Sequence, residues 1–230
     1  MPYFQNATSQ SAAYGDQHAG LQIYESNALI FPLFAVIACA ADAPLGPKGS
    51  MGVELVKNKS FDRAISFLED GLTETPDSPV LYENLGVAYL GCGGTLNAAQ
   101  CREKAETAMT KALDLGGRAT FLVDISTEKG GLLRIKEGLL EVKRGWLHIS
   151  KTGLEFDAER PDPKFPPVII AAADIKGYSM NSGASKGTNM FHIDSKPEPH
   201  DFRTADFSAE EAQIVFHLIE KYLGVASKKK

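Results

Sequence analysis

The sequence has few cysteines and only one tryptophan. Three cysteines among 230 residues, Cys39, Cys92 and Cys101, are too few for a disulfide framework or a metal cluster. We expect them to be buried or free thiols in a reducing compartment, although a secreted protein could pair Cys92 with Cys101. The five histidines are scattered, without the spacing of a zinc site, so we expect no metal and no cofactor.

Concentrated positive charge is also missing. The chain carries a net charge of −5, with −6 in residues 1–116 and +1 in residues 117–230. Binding to nucleic acid requires Lys and Arg gathered on one surface, and neither half has such a concentration. We therefore exclude nucleic acid as a partner.

Catalytic patterns are absent as well. We find no nucleophile motif, no paired carboxylates and no phosphate-binding loop that precedes a helix. His192 and Asp194 share one face of a predicted strand, and we interpret them as part of a polar outer face. The sequence therefore predicts a protein that is not an enzyme.

No apolar run is long enough to cross a membrane. The longest uncharged stretch lies within residues 26–41 and is interrupted by Pro32, whereas a spanning helix needs about 20 apolar residues. Its end, VIAC, resembles the lipobox of bacterial lipoproteins, in which Cys39 would be lipidated. However, no Lys or Arg precedes Lys48, so the positive region of a signal peptide is missing.

The N-terminal region therefore has two predicted parts. Residues 1–20 are polar and small, without periodicity, and are typical of a disordered leader. We predict that residues 21–46 form an apolar segment that caps the helices following them. The alternative is that the protein is anchored by a lipid at Cys39 or is secreted.

A helical pattern extends from about residue 47 to residue 116, with glycines in unexpected places. Gly52 and Gly86 stand 34 positions apart in the middle of two helix-like runs. A glycine there costs about 1 kcal/mol relative to alanine, and a close helix crossing would offset that cost. The sequence around them resembles the tetratricopeptide repeat (TPR), whose period is 34. The matching positions are Met51, Gly52, Leu55, Phe61, Ala64, Leu68, Gly71 and Pro76 in the first repeat and Tyr82, Leu85, Gly86, Tyr89, Ala105, Met109 and Ala112 in the second.

The resemblance implies a peptide-binding groove lined by the first helix of each pair. The groove residues would be Val53, Val56, Lys57, Val80, Glu83, Val87 and Leu90. Chaperone adaptors of this family hold a peptide carboxylate with Lys and Asn, but a valine and an acid stand at those positions here. An apolar groove with one acid would favour an apolar or basic partner segment. Alternatively, the N-terminal segment of this chain fills the groove.

From residue 117 the apolar period changes to two. Strands are predicted at residues 119–126, 139–150, 153–158, 167–180, 189–194 and 200–207, followed by a helix over residues 208–224. Ser208 and Glu211 make a capping-box pattern at the start of that helix, and Gly224 marks its end. This order resembles a pleckstrin-homology-like (PH-like or GRAM-like) domain over residues 117–225, with residues 174–177 as a central strand. A basic tail, residues 226–230, follows.

The PH-like resemblance implies a second possible surface. Phosphoinositide-binding members gather Lys and Arg around the first hairpin, where Lys143, Arg144 and Lys151 stand here. Acids such as Glu155 and Asp157 are interleaved with these bases, so lipid head-group binding is the alternative and not the first interpretation.

The sequence thus predicts an α+β protein of two domains, TPR-like repeats over residues 47–116 and a PH-like β-barrel or sandwich. Its expected function is that of a cytoplasmic, non-enzymatic adaptor for proteins or peptides. A membrane-peripheral protein or lipoprotein is the alternative, and the fold class alone does not identify the partner.

Overall fold

The computed structural model describes residues 44–92, 97–126, 142–180, 190–205 and 208–225. They all belong to one compact unit that spans Ala40–Lys230. Cys39, the leader, the basic tail and all but the end of the predicted capping segment lie outside these ranges. Among the described residues, no helix combines the length and the apolar character that a membrane span needs.

The first half of this unit contains four helices. They are α1 (Pro47–Lys57), α2 (Phe61–Glu74), α3 (Pro79–Leu90) and α4 (Ala98–Asp114). Ser78 caps α3, since its Oγ accepts a hydrogen bond from the amide of Leu81, and Pro79 occupies the first turn as predicted. The Asn97 and Gln100 side chains form a reciprocal capping box at the start of α4.

The helices pack as two hairpins, α1 with α2 and α3 with α4, and glycines stand at the crossings. A Cβ added at Gly52 would lie 2.6 Å from Cγ of Leu68, and one added at Gly86 would lie 2.5 Å from Cγ of Met109. The tightest backbone approach is between Gly71 of α2 and Gly49 of α1, where an added Cβ would lie 2.7 Å from the Gly49 Cα. The expected close crossings at Gly52 and Gly86 are therefore present.

Cys92 and Cys101 form a disulfide bond that links the end of α3 to the first turn of α4. This corrects our expectation of free thiols. The sequence left the pairing open because it does not show that the end of α3 lies beside the first turn of α4.

We predict that this disulfide stabilises the protein by about 2 kcal/mol. A cross-link restricts the unfolded chain, and its effect is modest when the closed loop is short. The double variant Cys92→Ser, Cys101→Ser should therefore lose about that much unfolding free energy in urea titrations without reductant. Dithiothreitol should destabilise the wild type by a similar amount and leave the variant unchanged. Three free thiols in the intact mass of unreduced protein would contradict the prediction.

The second half contains a seven-stranded antiparallel sheet. Its strands are β1 (Ala119–Ser126), β2 (Val142–Ser150), β3 (Gly153–Ala158), β4 (Val168–Ala171), β5 (Ile175–Met180), β6 (Met190–Ser195) and β7 (His200–Thr204). The order across the sheet is β4-β3-β2-β1-β7-β6-β5, two meanders joined where β1 pairs with β7. Together with the C-terminal helix α5 (Ala209–Leu223), this arrangement is consistent with a PH-like domain.

Two details of the predicted sheet are wrong. Residues 167–180 form two strands and not one, because a short 3-10 turn, Ala172–Asp174, separates β4 from β5. The segment 174–177, expected in a central strand, begins β5 at an edge of the sheet, and β1 lies at the centre.

Helix α5 covers the sheet on one side and touches α4 on the other. Its buried residues include Val215, Leu218 and Ile219, as the predicted apolar stripe requires. Its Phe216 ring stacks on Tyr178 of β5. The hydroxyl of Tyr222 lies 2.6 Å from Oδ1 of Asp114 and 3.0 Å from the carbonyl oxygen of Thr110, both on α4. Because α3 and α4 also pack against β1, the helical hairpins and the sheet share one apolar core.

Candidate functional site

A cleft of about 900 Å³ lies between the first helix of each hairpin and the outer face of the sheet. One wall comes from α1 and α3 and contains six of the seven predicted groove residues, Val53, Val56, Lys57, Val80, Glu83 and Val87. The seventh, Leu90, is not among the lining residues and packs half-buried against the core. The opposite wall comes from β1 and β2, which the sequence did not place here.

The apolar part of the cleft follows from the helix periodicity. Val53 and Val56 stand three positions apart on α1, and Val80 and Val87 stand seven apart on α3, so each pair lies on one helical face. Trp146 of β2 contributes an aromatic ring to the same cleft from the sheet. The arrangement suits the apolar side chains of a ligand.

The floor of the cleft is polar and links a helix to two strands. The Thr120 Oγ1 of β1 donates to Oε1 of Glu83 on α3 at 2.6 Å, and lies 2.8 Å from Nδ1 of His148 on β2. Arg118 Nε also donates to this Glu83 oxygen, at 2.7 Å. Thr120 and His148 are partners in the β1–β2 register, which places both side chains on the outer face.

The hydrogen bonds at the floor of the cleft give Glu83 a different role from the predicted one. From the sequence we expected its acid to attract a basic partner segment. In the structure its carboxylate already accepts hydrogen bonds from Arg118 and Thr120, and its side chain is only 13% exposed. Glu83 therefore joins the helices to the sheet, and any attraction of a basic group must come from other residues.

His148 is neutral in this environment. Burial, with the positive charge of Arg118, lowers the pKa of its imidazole from 6.5 to about 4, while the carboxylate of Asp157 opposes the shift. Oδ2 of Asp157 lies 3.7 Å from Nε2 of His148.

Two of the three predicted head-group residues, Lys143 and Arg144, share a cavity, and both are paired with acids. Lys143 Nζ lies 2.8 Å from Oδ2 of Asp162, and Nε of Arg144 lies 2.9 Å from Oδ1 of Asp124. Both line a second cavity, of about 720 Å³, together with Arg160 and Arg203. Lys151 follows the opposite end of β2, where its Nζ contacts the backbone carbonyl of Asp114.

Asp124 accounts for much of the charge pairing in this second cavity. Its carboxylate is almost fully buried, and it accepts hydrogen bonds from Arg144 and from Nη2 of Arg203, the latter at 2.9 Å. Burial alone would raise the pKa of Asp124, but the two guanidinium groups outweigh it and hold the pKa below its ordinary value. Arg144 thus belongs to an internal ion pair, which argues against its use in binding a lipid head group.

His192 and Asp194 lie on the less buried face of β6, in agreement with the predicted polar outer face. His192 Nδ1 lies 2.9 Å from Oδ1 of Asp201 on β7, and Asp194 lies 3.9 Å from Nζ of Lys176 on β5. Both pairs cross between strands on the polar outer face. Among the described residues, no group of three or more His, Cys, Asp or Glu side chains is placed to hold a metal ion.

No protein-family model matches this chain, and none of the curated proteins does. Solved structures show partial similarity. The C-terminal domain of an unknown protein from Leishmania infantum is 18% identical, with a TM-score of 0.34, covering 48% of this chain and 89% of that one. The N-terminal PH domain of human ARAP2 is 13% identical, with a TM-score of 0.32, over 46% and 82%.

A third solved structure matches a longer part of this chain. The DH/PH domain of human ARHGEF11, solved in a ternary complex with human RhoA and its inhibitor, is 11% identical with a TM-score of 0.34. The match covers 76% of this chain and 65% of that one. At these TM-scores the similarity does not assign the chain to a family.

Proposed function

We propose that the protein is a non-enzymatic adaptor that holds a segment of a partner protein in the cleft between α1, α3 and the sheet. The observation that supports this most directly is the meeting of six predicted groove residues in one cavity of about 900 Å³. A cleft with an apolar wall and a small number of oriented polar groups is the usual form of a binding site.

The helical hairpins are TPR-like in this proposal. Small residues at the crossings, Gly52 and Gly86, hold the helices close, and the first helix of each pair faces the cleft. The PH-like sheet supplies the second wall, so the partner segment would touch both parts of the chain. The sequence contains no nucleophile motif and no paired carboxylates, so binding is the function proposed for the cleft.

We predict that the cleft selects peptides from a phage-displayed library of random 12-residue sequences. Selected peptides should bind the variant Val53→Glu, Val80→Glu at least about tenfold more weakly than the wild type. A bound peptide would bury the two introduced acids, which oppose the apolar contacts. Fluorescence polarisation with labelled copies of the selected peptides measures the change. Both valines are half-buried at the cleft, so the variant should still fold.

Met51→Glu is the matched control. Met51 stands on α1 close to Val53, is 50% exposed and is not among the residues that line the cleft. It receives the same apolar-to-acid change and should keep wild-type affinity. Enrichment of no peptide, or equal binding by the double variant and the wild type, would disprove the peptide-binding function.

The disulfide is evidence about the cellular compartment in which the protein resides. We expected a cytoplasmic protein, with secretion as the alternative, and disulfides persist mainly in oxidising environments. The Cys92–Cys101 bond therefore supports the secreted alternative. Separation of cellular fractions, with the thiol state measured in each, tests this part of the proposal.

A further inference from the structure

We infer that the cleft binds a basic side chain, Lys or Arg, of its partner segment. This side chain would lie on the ring of Trp146 and contact His148 and Asp157. This inference rests on the proposed peptide-binding function and adds the chemistry that the cleft selects. Three observations support it: the assignment of hydrogen-bond donors and acceptors at His148, the strand register and the shape of the cleft.

The hydrogen bonds assign the two nitrogens of His148. Thr120 has a single O–H, and it donates that hydrogen to the Glu83 carboxylate, which can only accept. Oγ1 of Thr120 must therefore accept from His148, so Nδ1 of His148 carries the hydrogen. In a neutral imidazole the other nitrogen, Nε2, is then an acceptor.

Nε2 of His148 faces another acceptor. Oδ2 of Asp157 lies 3.7 Å away, and no described residue donates a hydrogen bond to either atom. Two acceptors at this distance gain nothing from each other, whereas a shared donor would satisfy both. Glu155, opposite His148 in the β2–β3 register, adds a second negative charge nearby. This electrostatic environment suits a cation that donates hydrogen bonds.

Trp146 supplies the surface on which that cation would lie. It stands directly opposite Asp157 in the β2–β3 register and two positions before His148, so the three side chains share the outer face. An ammonium or guanidinium group above an indole ring gains cation–π attraction, and it keeps its N–H donors for carboxylates at the ring edge. Aromatic ring, neutral imidazole and carboxylate together select a positive charge.

The cleft brings a partner segment to this place. Trp146 and His148 both line it, opposite the valines of α1 and α3. Its own cations are engaged with acids: Arg118 pairs with Glu83, Lys59 with Glu159 at 3.0 Å, and Lys57 with Glu54 at 3.5 Å. Their repulsion of an incoming charge is thereby reduced, and an apolar segment with one basic residue fits both walls.

The test uses Trp146 as its own reporter, since it is the only tryptophan in the chain. The probes are three synthetic peptides, acetyl-Leu-Val-X-Val-Leu-amide, in which X is arginine, its uncharged isostere citrulline, or glutamate. Titrations of the full chain follow tryptophan fluorescence at low ionic strength, with calorimetry as a second measurement. We expect the arginine peptide to bind about tenfold more tightly than the citrulline peptide, and the glutamate peptide to bind least.

The isosteric variant Asp157→Asn separates this inference from the proposed function. It should remove the preference for arginine over citrulline, because it should weaken arginine binding much more than citrulline binding. Asp174→Asn, which removes an acid from the turn between β4 and β5, should keep the full preference.

Equal binding of the arginine and citrulline peptides, or an arginine preference that survives Asp157→Asn, would overturn the inference and leave the peptide-binding function standing. If none of the three peptides binds and the library selection also fails, the proposed function fails with it. Preferential binding of the glutamate peptide would show that Lys57 and Lys59 govern selection, which contradicts the inference.

Discussion

Replacing Gly71 by valine should lower the free energy of unfolding by about 4 kcal/mol. A Cβ at this position meets the backbone of Gly49, with the Gly49 N at 2.8 Å and its Cα at 2.7 Å, and backbone atoms cannot rotate away as a side chain can. Overpacking commonly costs about 1 to 3 kcal/mol, and a branched side chain between two helix backbones exceeds that range because the helices must separate. Urea unfolding followed by circular dichroism measures the loss.

Two other substitutions test whether backbone contact is the cause. Gly52→Val should cost less, because the two nearest atoms belong to the side chain of Leu68, at 2.6 and 2.8 Å, and the nearest backbone atom, the Leu68 N, lies 3.0 Å away. Ser66→Ala, exposed in the middle of α2, should raise stability by a few tenths of a kcal/mol through helix propensity. A Gly71→Val protein as stable as the wild type would show that α1 and α2 do not cross at this point.

The second large effect is a dependence of stability on pH that His148 introduces. Its pKa is about 4 in the folded protein and 6.5 ordinarily, so between these values the unfolded chain takes up a proton that the folded chain does not. Stability therefore falls as the pH falls through this window, by about 2 to 3 kcal/mol for a group that is mostly buried. Above pH 6.5 both states are neutral at this residue, and its contribution is constant.

His148→Asn provides the comparison. The amide N–H of asparagine can replace Nδ1–H toward Thr120, but the side chain does not titrate. Urea unfolding at pH 7, 6, 5 and 4 should show the wild type losing about 2 to 3 kcal/mol more than the variant. The groups that face His148, namely Glu83, Arg118, Glu155 and Asp157, remain in both proteins. Parallel curves for the two proteins would refute the assignment.

The local elements were predictable because their signals are local. Ser78 with Pro79 and Ser208 with Gly224 mark helix ends by short-range hydrogen bonds and backbone geometry, and the structure contains all of them. The valines of the groove were predictable for the same reason, because a helical period alone sets which residues share a face.

The other wall of the cleft was not predictable. Thr120, Trp146 and His148 alternate on the outer face of strands, where the sequence indicates only a polar surface. Their role arises when α3 packs on β1 and brings Glu83 to them across 37 or more positions of the chain. The turn that divides residues 167–180 also lacked a signal, because Ala172 and Ala173 carry neither the proline nor the glycine that commonly marks a turn.

The hydrogen bonds that Glu83 accepts have a consequence for how a partner would enter the cleft. One carboxylate on α3 holds a threonine of β1 and, through it, a histidine of β2, so opening the gap would break a chain of nearly buried hydrogen bonds. We therefore expect the cleft to be rigid and not hinged. A ligand would find its site preorganised, and folding itself would already have met the entropy cost of aligning the two walls.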